Sequence, residues 1–118
     1  MFIQLSYPFS EQIPFYSSLR SPGFGSAAAV FLMERFANLR ALAVDFISIS
    51  SPAHEAAGAD AHRVFLRCTA YAARSILLVE DALLPNTLPP LLRVFVVPWM
   101  FEGLDSASCT MFGEAANA

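Results

Sequence analysis

The chain has 118 residues, of which 56% are apolar and only 14% charged, with a net charge of −3; a typical soluble domain carries roughly 25% charged residues. Its seven basic residues are all arginines and are scattered, which excludes a basic nucleic-acid patch, while the absence of lysine removes Schiff-base chemistry and a P-loop. The mean hydropathy of +0.52 leaves too few charges to cover a surface, so either an oligomer interface hides part of it or part of the usual domain is missing.

No membrane span explains the excess. The longest clean apolar run, Ala27 to Met33, is far short of the ~20 residues a spanning helix needs. The N-terminus, MFIQLSYPF, lacks the basic and long apolar regions of a secretory signal. Cys68 and Cys109 form no C-x-x-C pair and read as free thiols of a cytoplasmic protein.

In chain order, Phe2 to Tyr7 alternates with a period of two and predicts a strand ended by Pro8. A short extended piece is expected around Ile13 to Tyr16. The run Leu19 to Gly25 is a loop, dense in proline and glycine. Ser26 is a suitable N-cap for a helix over Ala27 to Asn38, with Phe31, Leu32 and Phe36 on one face. Leu39 to Ile49 predicts a strand apolar on both sides, as in a central strand.

After a loop over Ser50 to Gly58, a second helix is expected from Ala59 or Asp60 to about Ala73, then a strand at Ser75 to Val79. A proline-rich turn over Asp81 to Pro90 leads to a strand at Leu91 to Val97. A loop over Pro98 to Ser106 leads to a final strand at Ser108 to Gly113. The alternation predicts one α/β domain over residues 1–118 with a mixed sheet and packed helices.

Two motifs compete for attention. Gly23-Phe24-Gly25-Ser26-Ala27-Ala28 is a G-x-G-x-x-A run opening a helix, with Asp45 twenty residues after Gly25, as in a dinucleotide fingerprint. The fingerprint needs a buried strand feeding its first glycine, and SSLRSP stands there instead, so a capped loop is the stronger reading. The other motif is the stretch from Asp60 to Asp81, where His62 opens a helix and Glu80 follows a buried strand. A histidine and a carboxylate so placed are candidates for metal ligation or acid/base work. His54, in a loop beside Glu55, is a spare ligand candidate. No G-x-S-x-G elbow occurs.

Ala61-His62-Arg63-Val64-Phe65-Leu66, followed by Ile76-Leu77-Leu78-Val79-Glu80-Asp81-Ala82-Leu83, resembles the cyclase family, whose best-known members are bacterial kynurenine formamidases (arylformamidases), with isatin hydrolase a relative. Further short stretches match in order. Ile3 to Ser10 with Pro14-Phe15-Tyr16 is similar to the opening D-L-S-H-P-L-S … P-V-Y, and Val44 to Ser50 to the G-I-D-T-L-S-I-D strand. Leu88-Pro89-Pro90 falls at the family's L-P turn, and Phe101 to Cys109 is similar to the closing I-E-G-x-D-G-S-P.

The resemblance implies a shortened cyclase-family (swivelling β/β/α) domain. It also implies a divalent metal, zinc or manganese, that activates water against a small-molecule amide. His62 would be the ligand and proton-handling catalytic residue, and Glu80 the second ligand. Ser6 and Asp105 would be structural.

Three departures bear on activity. The signature H-x-G-T-H-x-D-x-P-x-H, which supplies most of the family's ligands, is absent where only the Tyr16–Ser26 loop stands. The interval between His62 and Glu80 is longer than the family's, and Ser108 replaces a closing proline. The expectation is therefore an incomplete cyclase-like domain with impaired or no hydrolase activity. The alternative is a non-enzymatic oligomerisation or interaction module on the same fold, with a homo-oligomer expected in either case.

Overall fold

The computed structural model describes residues 1–6, 22–67 and 74–116. The chain is a small mixed α/β protein whose described strands fall into two sheets rather than one mixed sheet. It divides into two compact units, one formed by Phe15–Asp81 and the other by Met1–Pro14 with Ala82–Ala118.

The second unit is a three-stranded antiparallel sheet in the order β1-β5-β4, with β1 at Phe2–Gln4, β4 at Leu91–Pro98 and β5 at Cys109–Ala115. Both β4 and β5 match the sequence expectation with ends shifted by a residue or two. Strand β1 is shorter than expected: Leu5 donates to the Met111 carbonyl at 2.8 Å beyond it, and Tyr7 lies outside the described residues. Register slips once, where Leu91 faces Ala115 and Arg93 faces Glu114, leaving Leu92 as the extra residue of a bulge. Phe95 and Phe112 stack across the strands at 4.9 Å, and Phe2 meets both rings edge-on. Leu5, Ala82, Met111 and Ala115 are its buried apolar residues.

The other unit holds the helices. Helix α1 spans Ser26–Arg35 and α2 spans Glu55–Leu66, led by a 3-10 turn at Pro52–His54. Strands β2 (Ala41–Ala43) and β3 (Leu77–Val79) pair in parallel, with α2 between them in sequence. Buried Ala29 and Met33 of α1 share one core with Val44, Ile49, Ile76 and the Ala61, Val64 and Phe65 face of α2. The apolar stripe of α1 therefore differs from the one expected. Phe31 and Phe36 are exposed by half or more and meet each other edge-on at 6.5 Å, while Leu32 packs partly on the core.

Element ends differ for identifiable reasons. Gly25, not Ser26, is the N-cap of α1, with no side-chain cap. The helix stops at Arg35 because Arg74 fills its C-terminus: the guanidinium donates to the carbonyls of Met33 at 2.9 Å and Phe36 at 2.8 Å, and also to that of Leu39. The strand expected to run to Ile49 keeps only Ala41–Ala43, because beyond Val44 the chain bends towards Glu80. Pro52 starts the turn that brings α2 in early, so much of the expected Ser50–Gly58 loop is helical. Arg67 is already extended (φ −106°, ψ 134°) and ends α2 before the expected Ala73. Residues 68–73 and the extended piece at Ile13–Tyr16 lie outside the described residues. No helix among the described residues is long and apolar enough to cross a membrane.

Candidate functional site: the His62–Glu80 couple

Helix α2 carries His62 on the side facing the chain segment 48–51, and Glu80 follows β3 directly. The parallel pairing of β3 with β2 brings Glu80 beside that segment: Val44 donates to Val79 at 2.9 Å, and Asp81 to Phe46 at 3.0 Å. Asp81 takes a left-handed φ of 55°, a turn that Asp tolerates better than most side chains.

The Glu80 carboxylate is gripped by one short segment. Its Oε1 accepts hydrogen bonds from Ser48 Oγ at 2.9 Å and from the Ile49 amide at 2.7 Å. Ser48 Oγ in turn accepts from the Ser50 amide at 3.1 Å. His62 Nε2 lies 3.4 Å from the same Oε1, with both side chains about 70% buried.

The other ring nitrogen, Nδ1, is 2.9 Å from the Gly58 carbonyl, one helical turn back, and 3.4 Å from Ser50 Oγ. A carbonyl only accepts, so Nδ1 carries the proton and donates it to Gly58. Nε2 is then left facing a carboxylate oxygen. That contact is favourable when a proton or a cation stands between them, and unfavourable otherwise.

The approach depends on Gly58. A Cβ there would fall 2.6 Å from Ser50 Cβ and closer still to Ser50 Cα and Oγ, so only glycine lets α2 lie against the segment. From the sequence, Gly58 falls in an expected loop, and Ser48 and Ser50 carry no expected role. A glycine between two helix-forming alanine runs was the available signal for a close backbone approach.

Comparison with models of protein families, with curated proteins and with solved structures gives no match.

The pair meets the distance test for a shared metal. Bonds of about 2.0–2.2 Å at a tetrahedral angle put two ligand atoms roughly 3.3–3.5 Å apart, and the observed separation is 3.4 Å. An Nδ1–H held by a backbone carbonyl is also the usual second contact of a metal-ligating histidine. The donor count fails, however. The described residues contain no group of three His, Cys, Asp or Glu side chains placed to hold one ion. A catalytic zinc site needs about three protein ligands. His54, the spare candidate, sits in the 3-10 turn as the N-cap of α2 and joins no such group. Cys109 is a free thiol on β5, and Cys68 lies outside the described residues. Among the described residues, therefore, no catalytic metal centre is completed.

Proposed function

We propose that this chain is a shortened relative of the cyclase family, of the arylformamidase and kynurenine formamidase type, that has kept the late His–Glu pair while amide hydrolysis is impaired or lost. The observation that carries this reading is the commitment of Glu80 Oε1. The oxygen nearest His62 already accepts from Ser48 and Ile49, and no third donor joins the pair among the described residues. A carboxylate so engaged ties the end of β3 to the 48–51 segment, a structural use of a residue that in the family binds zinc or manganese. The one other histidine, His54, joins no ligand group among the described residues, so a third ligand would have to be a carboxylate or a thiol from outside them. A cytoplasmic setting belongs to the same proposal.

The test is hydrolysis of N-formylkynurenine by the purified chain with zinc or manganese added, alongside elemental analysis of the protein as isolated. The expected result is substoichiometric metal and no metal-dependent turnover. Turnover at an enzyme-like rate, on the order of 1 s⁻¹ or more, abolished in His62→Ala, would overturn the proposal.

A second reading, a non-enzymatic homo-oligomeric module, is favoured by exposed apolar side chains on β4 and just after it. Leu92, Val94, Val97, Met100 and Leu104 are all more than half exposed, and apolar surface so gathered favours a partner. Light scattering coupled to size exclusion tests it: a dimer or higher species is expected, and a monomer at high concentration rejects it.

A further inference from the structure

Strand β4 lies at one side of the antiparallel sheet. The order β1-β5-β4 gives β5 a neighbour on each side, while among the described residues no strand pairs with the outer edge of β4. An open edge is a template for another strand.

The register shows which backbone groups face outward. Successive residues of an antiparallel strand bond the neighbouring strand alternately. The Trp99 amide donates to the Ser108 carbonyl at 2.9 Å, and Val97, Phe95 and Arg93 stand in the same phase opposite Thr110, Phe112 and Glu114. The other phase of β5 serves β1: its Met111 carbonyl accepts from Leu5, and its Ala115 amide donates to Met1. Val94 and Val96, opposite Gly113 and Met111, therefore direct their amides and carbonyls away from β5. Pro98 shares their phase but has no amide to donate, and Leu92 is the bulge residue. The window open to full pairing is thus Val94 to Val96.

Edges of monomeric sheets are commonly guarded by charge, lysine above all. This chain has no lysine. The one charged residue of β4, Arg93, is engaged within its own chain, donating to Glu114 at 2.7 Å with its guanidinium 6.0 Å from the Phe95 ring centre. Leu92, Val94 and Val97 are more than half exposed.

A second copy of the same strand fits this window in one register. With a two-fold axis at Phe95, Val94 faces Val96 of the second copy and Val96 faces its Val94. Every outward amide and carbonyl of the two valines is then bonded. A shift towards Pro98 leaves the Val94 carbonyl opposite a nitrogen without a proton, and a shift the other way brings in the bulge. The same register sets Phe95 against its own copy in a non-hydrogen-bonded pair, where side chains stand closest. It continues the row of rings Phe2, Phe112, Phe95 across the axis. Arg93 faces Val97, so the two arginines are not opposed.

We propose that two copies of this chain join edge to edge through β4, merging their three-stranded sheets into one antiparallel sheet. This rests on the homo-oligomer reading and names its interface. Edge hydrogen bonds replace bonds to water and add little net stability. They fix the register, while the apolar side chains they align supply the drive.

The test is light scattering coupled to size exclusion over a dilution series, with amide exchange followed by NMR. The parent is expected to be a dimer. Its Val94 and Val96 amides are expected to exchange about tenfold more slowly once roughly 90% of the chain is dimeric. Val96→Pro removes an outward amide without breaking a β4–β5 bond, and it is expected to run as a folded monomer. Phe95→Cys, in a chain carrying Cys68→Ser and Cys109→Ser, is expected to oxidise to a covalent dimer, because Cα atoms paired at about 4.5 Å lie within disulfide reach. Val94→Cys in the same background puts the two thiols on diagonal positions about 7–8 Å apart and is expected to stay uncrosslinked.

A parent that is monomeric at every concentration overturns the proposal together with the homo-oligomer reading. Protected Val94 and Val96 amides in that monomer would assign the edge to a segment of the same chain. A dimer that survives Val96→Pro, or that crosslinks as well at Val94 as at Phe95, overturns the β4 interface and leaves the homo-oligomer reading standing. Where Val96→Pro does not fold, the contrast between the two cysteine variants decides.

Discussion

Gly58 lies against Ser50 with no room for a methyl group: a Cβ would fall 2.6 Å from Ser50 Cβ and nearer still to its Cα. The same glycine offers its carbonyl to His62 Nδ1 at 2.9 Å. One residue therefore sets both how closely α2 approaches the 48–51 segment and how the His62 ring is turned.

Gly58→Ala places two effects in opposition. Helix propensity alone favours alanine by about 1 kcal/mol, whereas forced separation of packed backbone costs about 1–3 kcal/mol. The obstacle is partly backbone rather than the end of a flexible side chain, so the clash dominates. Urea denaturation is expected to show a net loss of up to about 2 kcal/mol. A variant as stable as the parent would mean that the two segments are not in contact.

Glu80 separates a structural carboxylate from a ligand. Glu80→Ala strands the Ile49 amide and the Ser48 hydroxyl, and a loss of about 1–3 kcal/mol is expected. Glu80→Gln keeps an acceptor for both and is expected to lose less than half as much. Both values are expected to be the same with and without a chelator. A chelator that lowers the melting temperature of the parent but not of Glu80→Ala would assign the carboxylate to a metal instead.

Arg74 serves three carbonyls at the end of α1. Arg74→Ala is expected to cost about 1.5–3 kcal/mol and to speed hydrogen exchange of the last-turn amides of α1. Arg74→Lys is expected to recover little of this, because a single ammonium does not reproduce the planar fork. Full recovery by lysine would show that charge alone suffices.

In the antiparallel sheet, ring packing and an ion pair contribute unequally. Phe112→Ala removes one ring of the stacked pair, and a loss of about 2–4 kcal/mol is expected. Arg93 touches Glu114 at 2.7 Å but is 68% exposed at its side chain, so Arg93→Ala is expected to change stability by less than about 1 kcal/mol. Thermal melts of the two variants check the ranking, and a larger effect from Arg93 would reverse it.

The sequence revealed the existence and type of most described elements, because β4, β5 and the two helices carry their own local patterns. It also picked out His62 and Glu80, which the structure brings to 3.4 Å. What it hid was decided at a distance. The end of α1 is set by Arg74, and the short span of β2 by a carboxylate that turns the chain after Val44. Ser48, Ser50 and Gly58 entered no motif because their roles arise only when α2 lies on the 48–51 segment. The stripe of α1 was misassigned for a related reason: small Ala29 and flexible Met33 face the crowded contact, and the larger phenylalanines are left outside.

Helix α1 is completed by a residue that the chain reaches only after α2 has been laid down and the path has turned back towards β3. The carbonyls of Met33 and Phe36 wait 41 and 38 residues for their donor. The end of α1 thus depends on the same stretch of chain that leads into β3. A fragment ending before Arg74 would contain both helices and still leave the last turn of α1 without its donor.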